Sequence, residues 1–400
     1  MYAGDVRDWP KRVRFGRGSI RALPDLLADL GTSRAAVICG RSVAGGEMLE
    51  RVKSALGPHY AGVFAGVMAH TPFENVRQAA SMVRSLRADA VITVGGGSAI
   101  DAGKGVVLLS AVDGSREDEP NIQRLAHYAI DWGANGTMKR SPLRAASLRH
   151  IAVPTTTGSA SEVMPTASIR DPMLRRKLLF WDERLVPDAT ILDPEMAVFA
   201  GPELTAATGM TALARAIESL YSKHRQPIST GLALHAAQML RTALPRSVAQ
   251  PDDLDARADC QIACLMSGTA SINAMVSVIH AIGHIVGGRY ALQHGISHSI
   301  LLAPAMRRML PAIGEDQFYA LEAMGGSRDA LSADAAGQHA ADLLQAMVDM
   351  LPLPRRLREL GMTQADVPGI AAATMGDYMM ASVPRPVAAD EVESLLREAL

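Results

Sequence analysis

Three groups of residues in this 400-residue chain have types and spacings that could do chemistry. Gly95-Gly96-Gly97-Ser98-Ala99-Ile100-Asp101-Ala102-Gly103-Lys104 falls between an apolar, β-branched run and a helical stretch. Glycines at such a junction let backbone N–H groups approach a pyrophosphate, and the next helix turns its positive dipole end toward the anion. An ordinary strand–helix turn would use the same glycines. The second group is His280, His284 and His294. The first two stand one helical turn apart, and imidazole titrates near neutrality, so any of the three could carry a proton. A lone histidine on an apolar helix is more often a satisfied core residue. The third group is Thr211 and Arg215, spaced four apart so that both can face one cavity. A guanidinium there could grip a carboxylate in bidentate fashion or offset charge developing on a reacting oxygen. The plainer alternative pairs Arg215 with Glu218 in a closed pocket.

The elements that must position these groups change character along the chain. Ala35–Cys39 and Ala90–Val94 read as buried strands, the second feeding a helix from Ser98, with further strands at 151–154, 167–170, 177–180 and 190–192. Strands alternating with helical stretches argue for a parallel sheet with crossover helices. Beyond Pro202, 3.6-residue apolar periodicity dominates, and helices are expected over 204–221, 229–244, 255–279 and 334–351. The boundary therefore falls near residue 190, with an α/β unit over 1–192 and a helical unit over 193–400. Residues 112–148, polar and glycine-rich at first, read either as a cover over a cleft or as a surface loop.

Composition narrows the function classes. Forty basic residues against 41 acidic ones leave no field for nucleic acid or an anionic membrane. Aromatics at 4% supply no base-stacking platform. Cys39, Cys260 and Cys264 form no disulfide framework, and no signal-like or membrane-length apolar run stands out. A cytoplasmic setting is expected.

Thr208-Gly209-Met210-Thr211-Ala212-Leu213-Ala214-Arg215-Ala216-Ile217-Glu218 resembles the TGMDALTHAIE helix of the iron-containing (group III) alcohol dehydrogenases, with Thr for Asp and Arg for His. The glycine loop resembles that family's GGGSxxDxxK. Pro154-Thr155-Thr156-Thr157-Gly158-Ser159-Ala160-Ser161-Glu162 resembles its PTTxGTGSE, with Ser159 and Ala160 for Thr and Gly. His280 through Gly295 resembles HxxxHxLGxxYxxxHG, Arg12 through Gly18 its opening strand and turn, and Ser382-Val383-Pro384-Arg385-Pro386 its NPRP segment. The resemblance implies a dinucleotide-binding α/β domain followed by an all-α domain, as in the dehydroquinate synthase-like fold. It implies that Gly95, Gly96, Gly97 and Ser98 hold the pyrophosphate, that Asp101 lies near the nicotinamide end, and that Lys104, Thr155, Thr156 and Ser159 help bind NAD(P). Family members that prefer NAD carry an Asp where this chain has Gly40, followed here by Arg41. Charge logic at that position leans toward NADP.

The same resemblance places His280 and His294 at two metal-ligand positions and His284 at a substrate or proton-handling position. Thr211 and Arg215 take the other two ligand positions, and neither a hydroxyl nor a permanent cation replaces a carboxylate or an imidazole there. Glu162 or His298 could complete a rearranged site. The expectation is nevertheless a metal-independent reductase of a small, carboxylate-bearing aldehyde or ketone, with Arg215 replacing the metal charge and Thr211 beside it. Maleylacetate reductases, which also depart from the metal set, are the related type. A metal-dependent alcohol dehydrogenase with rearranged ligands and a cofactor-binding protein without hydride transfer stand as alternatives. The family implies a homodimer as a possible assembly.

Overall fold

A computed structural model describes residues 12–112, 122–132, 138–141, 143, 148–171, 176–290, 292–329 and 331–400. The chain folds into two compact units, one running to Thr156 and resuming over Ala160–Phe199, the other taking Thr157–Ser159 and Ala200–Leu400. The cover-or-loop question for 112–148 falls largely outside the described residues.

The first unit is built on a six-stranded sheet of β1 (Val13–Phe15), β2 (Ala35–Gly40), β3 (Tyr60–Val67), β4 (Ala90–Gly95), β7 (Arg149–Pro154) and β10 (Ala189–Leu192). Its order is β1-β10-β7-β4-β2-β3, and every pairing is parallel. β5 (Asp131–Trp132) pairs β6 (Met138–Lys139), and β8 (Thr166–Asp171) pairs β9 (Arg176–Trp181), both antiparallel. The central strands are continuous apolar runs because helices cover both faces. Ala36, Ile38 and Val91 point into one core with the Phe73–Ser85 and Gly97–Val112 helices, while Val37, Cys39, Ile92 and Val94 point into the other with Leu23–Asp29 and Glu47–Leu56. β3 went unforeseen: Tyr60-Ala61-Gly62-Val63-Phe64 lies on the sheet edge, half-buried throughout, and lacks the dense apolar run of an interior strand.

In the second unit the helices Pro202–Tyr221, Pro227–Ala249 and Leu254–Ala274 pack on one another, followed by Val278–Tyr290 and His294–Met309. The helix expected over 255–279 ends instead at Ala274. Met275 takes φ +64°, and the chain leaves it at 109° into a new helix that carries His280 and His284. Such a backbone is costly for an unbranched L-residue and is kept only where its surroundings over-determine it. Conversely, Pro245 does not end its helix, which runs on to Ala249. No single helix among the described residues is long and apolar enough to cross a membrane.

Candidate active site

β4 ends at Gly95, whose φ of +147° only glycine adopts comfortably; a Cβ there would lie 2.9 Å from that of Ala99. The chain turns at once into the Gly97–Val112 helix, so the N–H groups of Gly96, Gly97 and Ser98 stand at a 16-residue helix N-terminus. A Cβ on Gly96 would meet the Thr156 side chain, and Thr156 Oγ1 is buried with no hydrogen-bond partner among the described residues. Thr155 N donates to Gly95 O at 3.0 Å, joining the two motifs along the β4–β7 edge. Ser98 Oγ accepts from His70 N (3.1 Å), in a turn where His70 and Thr71 both have positive φ. Asp101 Oδ2 accepts from Ser168 N at 3.1 Å, and burial raises its carboxyl against the pull of Lys104. Gly40 ends β2, and Arg41 follows it exposed to solvent.

Lys104 is another of the residues the resemblance implies for the cofactor. It is wholly buried, and its Nζ donates to Met164 O (2.7 Å) and Thr166 O (2.8 Å), with Asp101 and Glu162 as its charge partners. Burial lowers its pKa to about 8 despite those carboxylates. In this geometry it anchors the approach to β8.

In the second unit, Thr157–Ser159 lies against the Pro202–Tyr221 helix. Thr157 Oγ1 donates to Thr205 O (3.2 Å), and a Cβ on Gly158 would fall 1.6 Å from Thr208 O, so only glycine permits the approach. Ala160 follows with φ +53°, in the left-handed region where the resembled motif has glycine. Arg215 closes the arrangement: its Nη2 donates to Gly158 O (2.9 Å) and Ser159 O (3.3 Å), and Nη1 to Ser267 Oγ (3.4 Å). The Arg215–Glu218 pair, the plainer alternative, does not form. Arg215 is 5% exposed, and among the described residues no carboxylate pairs with it, leaving a fixed internal cation. Thr211 Oγ1 donates back to Ala207 O (3.2 Å) within its own helix.

Four imidazoles gather beside it. Ring centroids lie 4.4 Å apart for His280 and His298, 6.1 Å for His298 and His294, and 5.6 Å for His294 and His284. His280 Nδ1 makes a short contact to Glu218 Oε2, and Glu218 Oε1 accepts from Ile279 N (2.7 Å) and Tyr221 Oη (3.1 Å). Burial pushes Glu218 up to about 7 and drives His280 well down, with the Arg215 charge lowering His280 further. His298 is driven down by the same burial, then by the neighbouring imidazoles and Arg215, and neither of its ring nitrogens has a partner among the described residues. His294 Nδ1 donates to Gly283 O (3.1 Å). His284 differs from all three. Its Nδ1 meets Asp377 Oδ2 at 2.8 Å, its ring stacks on Tyr378 at 6.0 Å, and the side chain keeps 31% of its exposure.

These residues do not fit a divalent metal. The buried Glu218–His280 pair has the form of a carboxylate–imidazole ligand support. The two positions on the neighbouring helix, however, hold a hydroxyl turned onto its own backbone and a guanidinium that already supplies positive charge. Among the described residues no three His, Cys, Asp or Glu side chains converge as a ligand set, and Glu162 stands by Lys104 instead. Sequence reasoning missed Asp377, 93 residues from its partner, because no local period links the two. Its one signal is its place just ahead of the Ser382–Pro386 segment.

Residues 10–194 match the sequence model of the iron-containing alcohol dehydrogenases, and residues 205–400 match that of the C-terminal region of the same family. The NAD-dependent methanol dehydrogenase of Bacillus methanolicus is 27% identical over 98% of both chains. Maleylacetate reductase 2 of Cupriavidus pinatubonensis is 31% identical over 74% of this chain and 70% of that one. The crystal structure of a 1,3-propanediol oxidoreductase superposes with a TM-score of 0.88 at 28% identity, covering 98% of each chain.

Proposed function

The chain belongs to the iron-containing alcohol dehydrogenase family, whose members here are NAD(P)-dependent oxidoreductases, and from that premise we propose a metal-independent reductase of small, carboxylate-bearing aldehydes or ketones. The observation that carries the reading is Arg215, a buried cation without a carboxylate partner among the described residues, standing where the resembled motif has a metal-ligating His. Reduction moves a hydride from the nicotinamide C4 to the carbonyl carbon. A bound nicotinamide would supply the two electrons with that hydride, and the carbonyl oxygen would carry negative charge until it takes a proton. A metal would offset that charge as a Lewis acid; a fixed guanidinium in a dry site does so electrostatically and needs no reorganisation.

The proton is assigned to His284, because the other three imidazoles are buried or committed to a carbonyl while His284 stays partly exposed. Gly95, Gly96, Gly97, Ser98 and the Thr155–Thr156 segment are the proposed pyrophosphate and ribose contacts. The exposed Arg41 after Gly40 supports NADP over NAD, since no carboxylate there repels a 2′-phosphate. An acidic substrate suits the donors that Arg215 retains and agrees with the maleylacetate reductase relative.

The test is metal content after anaerobic reconstitution with iron(II) or with zinc, measured on the wild type and on the Thr211→Asp/Arg215→His variant. The expected result is no tightly held metal in the wild type and one equivalent in the variant. One equivalent in the wild type would overturn metal independence and restore a metal-dependent enzyme with rearranged ligands. Turnover of 4-oxobutanoate against butanal, equal in chain length but differing in the carboxylate, tests the substrate class; no preference for the acid would sink that part.

A further inference from the structure

We propose that Asp377 is a positioning residue for hydride transfer, holding His284 in the tautomer with its proton on Nδ1 and leaving Nε2 to exchange a proton with substrate oxygen. The inference rests on the assignment of His284 as the proton carrier. Its basis is the way the Asp377 carboxylate divides its two oxygens. Oδ1 accepts from Met379 N at 2.9 Å, capping the short helix Tyr378–Ser382, and Oδ2 faces His284 Nδ1 at 2.8 Å. The side chain is 10% exposed, so little water competes for either oxygen. An ionised carboxylate only accepts, which obliges Nδ1 to carry the proton. Tyr378 stacks on one side of the ring and His294 meets it edge-on, so the imidazole plane is set as well as its tautomer. Among the described residues nothing hydrogen-bonds Nε2, and the His284 side chain keeps 31% of its exposure.

In the direction of alcohol oxidation, Nε2 takes the hydroxyl proton as hydride leaves carbon for the oxidised cofactor. In reduction the imidazolium returns that proton to the alkoxide as the reduced cofactor gives up hydride. Asp377 exchanges no proton in either direction.

The geometry makes Asp377→Asn a sharp test. Asn keeps the cap only if its oxygen stays on Met379 N, which turns the amide NH2 toward His284. Nδ1 must then accept, and the proton moves to Nε2, the wrong tautomer for taking a proton in oxidation, while the amide NH2 facing Nδ1 opposes the imidazolium that donates in reduction. Nitrogen-15 spectra of histidine-labelled protein would read the tautomer directly, and steady-state reduction of 4-oxobutanoate with NADPH would read the consequence. The wild type is expected to show His284 protonated on Nδ1 and the Asn variant on Nε2. The variant's kcat is expected to fall by between about tenfold and a thousandfold, with KM and cofactor Kd within about threefold of wild type. A wild-type His284 protonated on Nε2 overturns the proposal whether or not the substrate is turned over. So does an Asn variant that keeps full kcat while His284→Ala loses it, although the assignment of His284 then stands. If His284→Ala also keeps full kcat, that assignment falls and the role of Asp377 falls with it.

Discussion

Arg215 puts a guanidinium where the resembled motif has an imidazole, and in the fold it has two effects. It holds the Gly158 and Ser159 carbonyls on the helix and also sets the charge felt by His280 and His298. Arg215→Ala removes both effects, and kcat for carbonyl reduction is expected to fall by about 10²–10³-fold, the range for losing a preorganised charge at a developing oxyanion. Unchanged turnover would count against the electrostatic role. Ala160 makes a second, independent prediction. At φ +53° its methyl group is strained, so Ala160→Gly relieves about 0.5–1 kcal/mol after the added freedom of the unfolded chain is deducted. A rise in thermal midpoint of about 1–3 °C would register it, and a fall would show that the methyl's packing outweighs the strain.

At the scale of elements, the strand–glycine–helix junction of β4 is the proposed pyrophosphate contact. Gly95→Ala must move either the strand end or Ala99, since φ +147° and a 2.9 Å approach leave the new methyl nowhere to go. A cost of roughly 1–3 kcal/mol at the turn predicts a loss of about tenfold or more in NADPH affinity, measurable by titration calorimetry. Arg41, at the end of β2, predicts selectivity instead. Arg41→Ala should cut the NADPH-to-NADH preference by about threefold to tenfold, a modest effect because the guanidinium is exposed; an unchanged ratio would remove it from cofactor choice. The break at Met275 also belongs to this scale. It ends one helix and re-aims the next, and His280 and His284 take their direction from the second.

Across the whole molecule, acid sensitivity follows from buried neutral imidazoles. His150 pairs with Thr93 Oγ1 at 2.8 Å in the sheet core, and burial, then the Lys104 charge, lowers its pKa to about 3. Its folded pKa lies below the unfolded value of about 6.5, so the unfolded chain binds the extra proton between those limits. Stability is therefore retained above about pH 6.5 and lost as pH falls toward 3, with His280 and His298 acting in the same direction. His150→Gln should flatten the stability–pH slope between about pH 6.5 and 5 by up to about 1.4 kcal/mol per pH unit. Denaturant titrations across that range would show it, and an unaltered slope would mean that His150 is protonated in the fold.

The amino-acid sequence by itself determined the family, the α/β-then-helical order and the glycine loop, because these are written in contiguous residues: apolar runs with period 2, then 3.6, and glycines at one junction. It also displayed Thr211 and Arg215 where ligands stand in the resembled motif, since a ligand's identity is a property of the residue. Tertiary structure decided what those residues touch. That Arg215 turns to two carbonyls and not to Glu218, that Lys104 points into the fold, that β3 is a strand at all and that Asp377 meets His284 are long-range outcomes. They follow from how helices and strands distant in sequence pack, and no local period encodes such pairings.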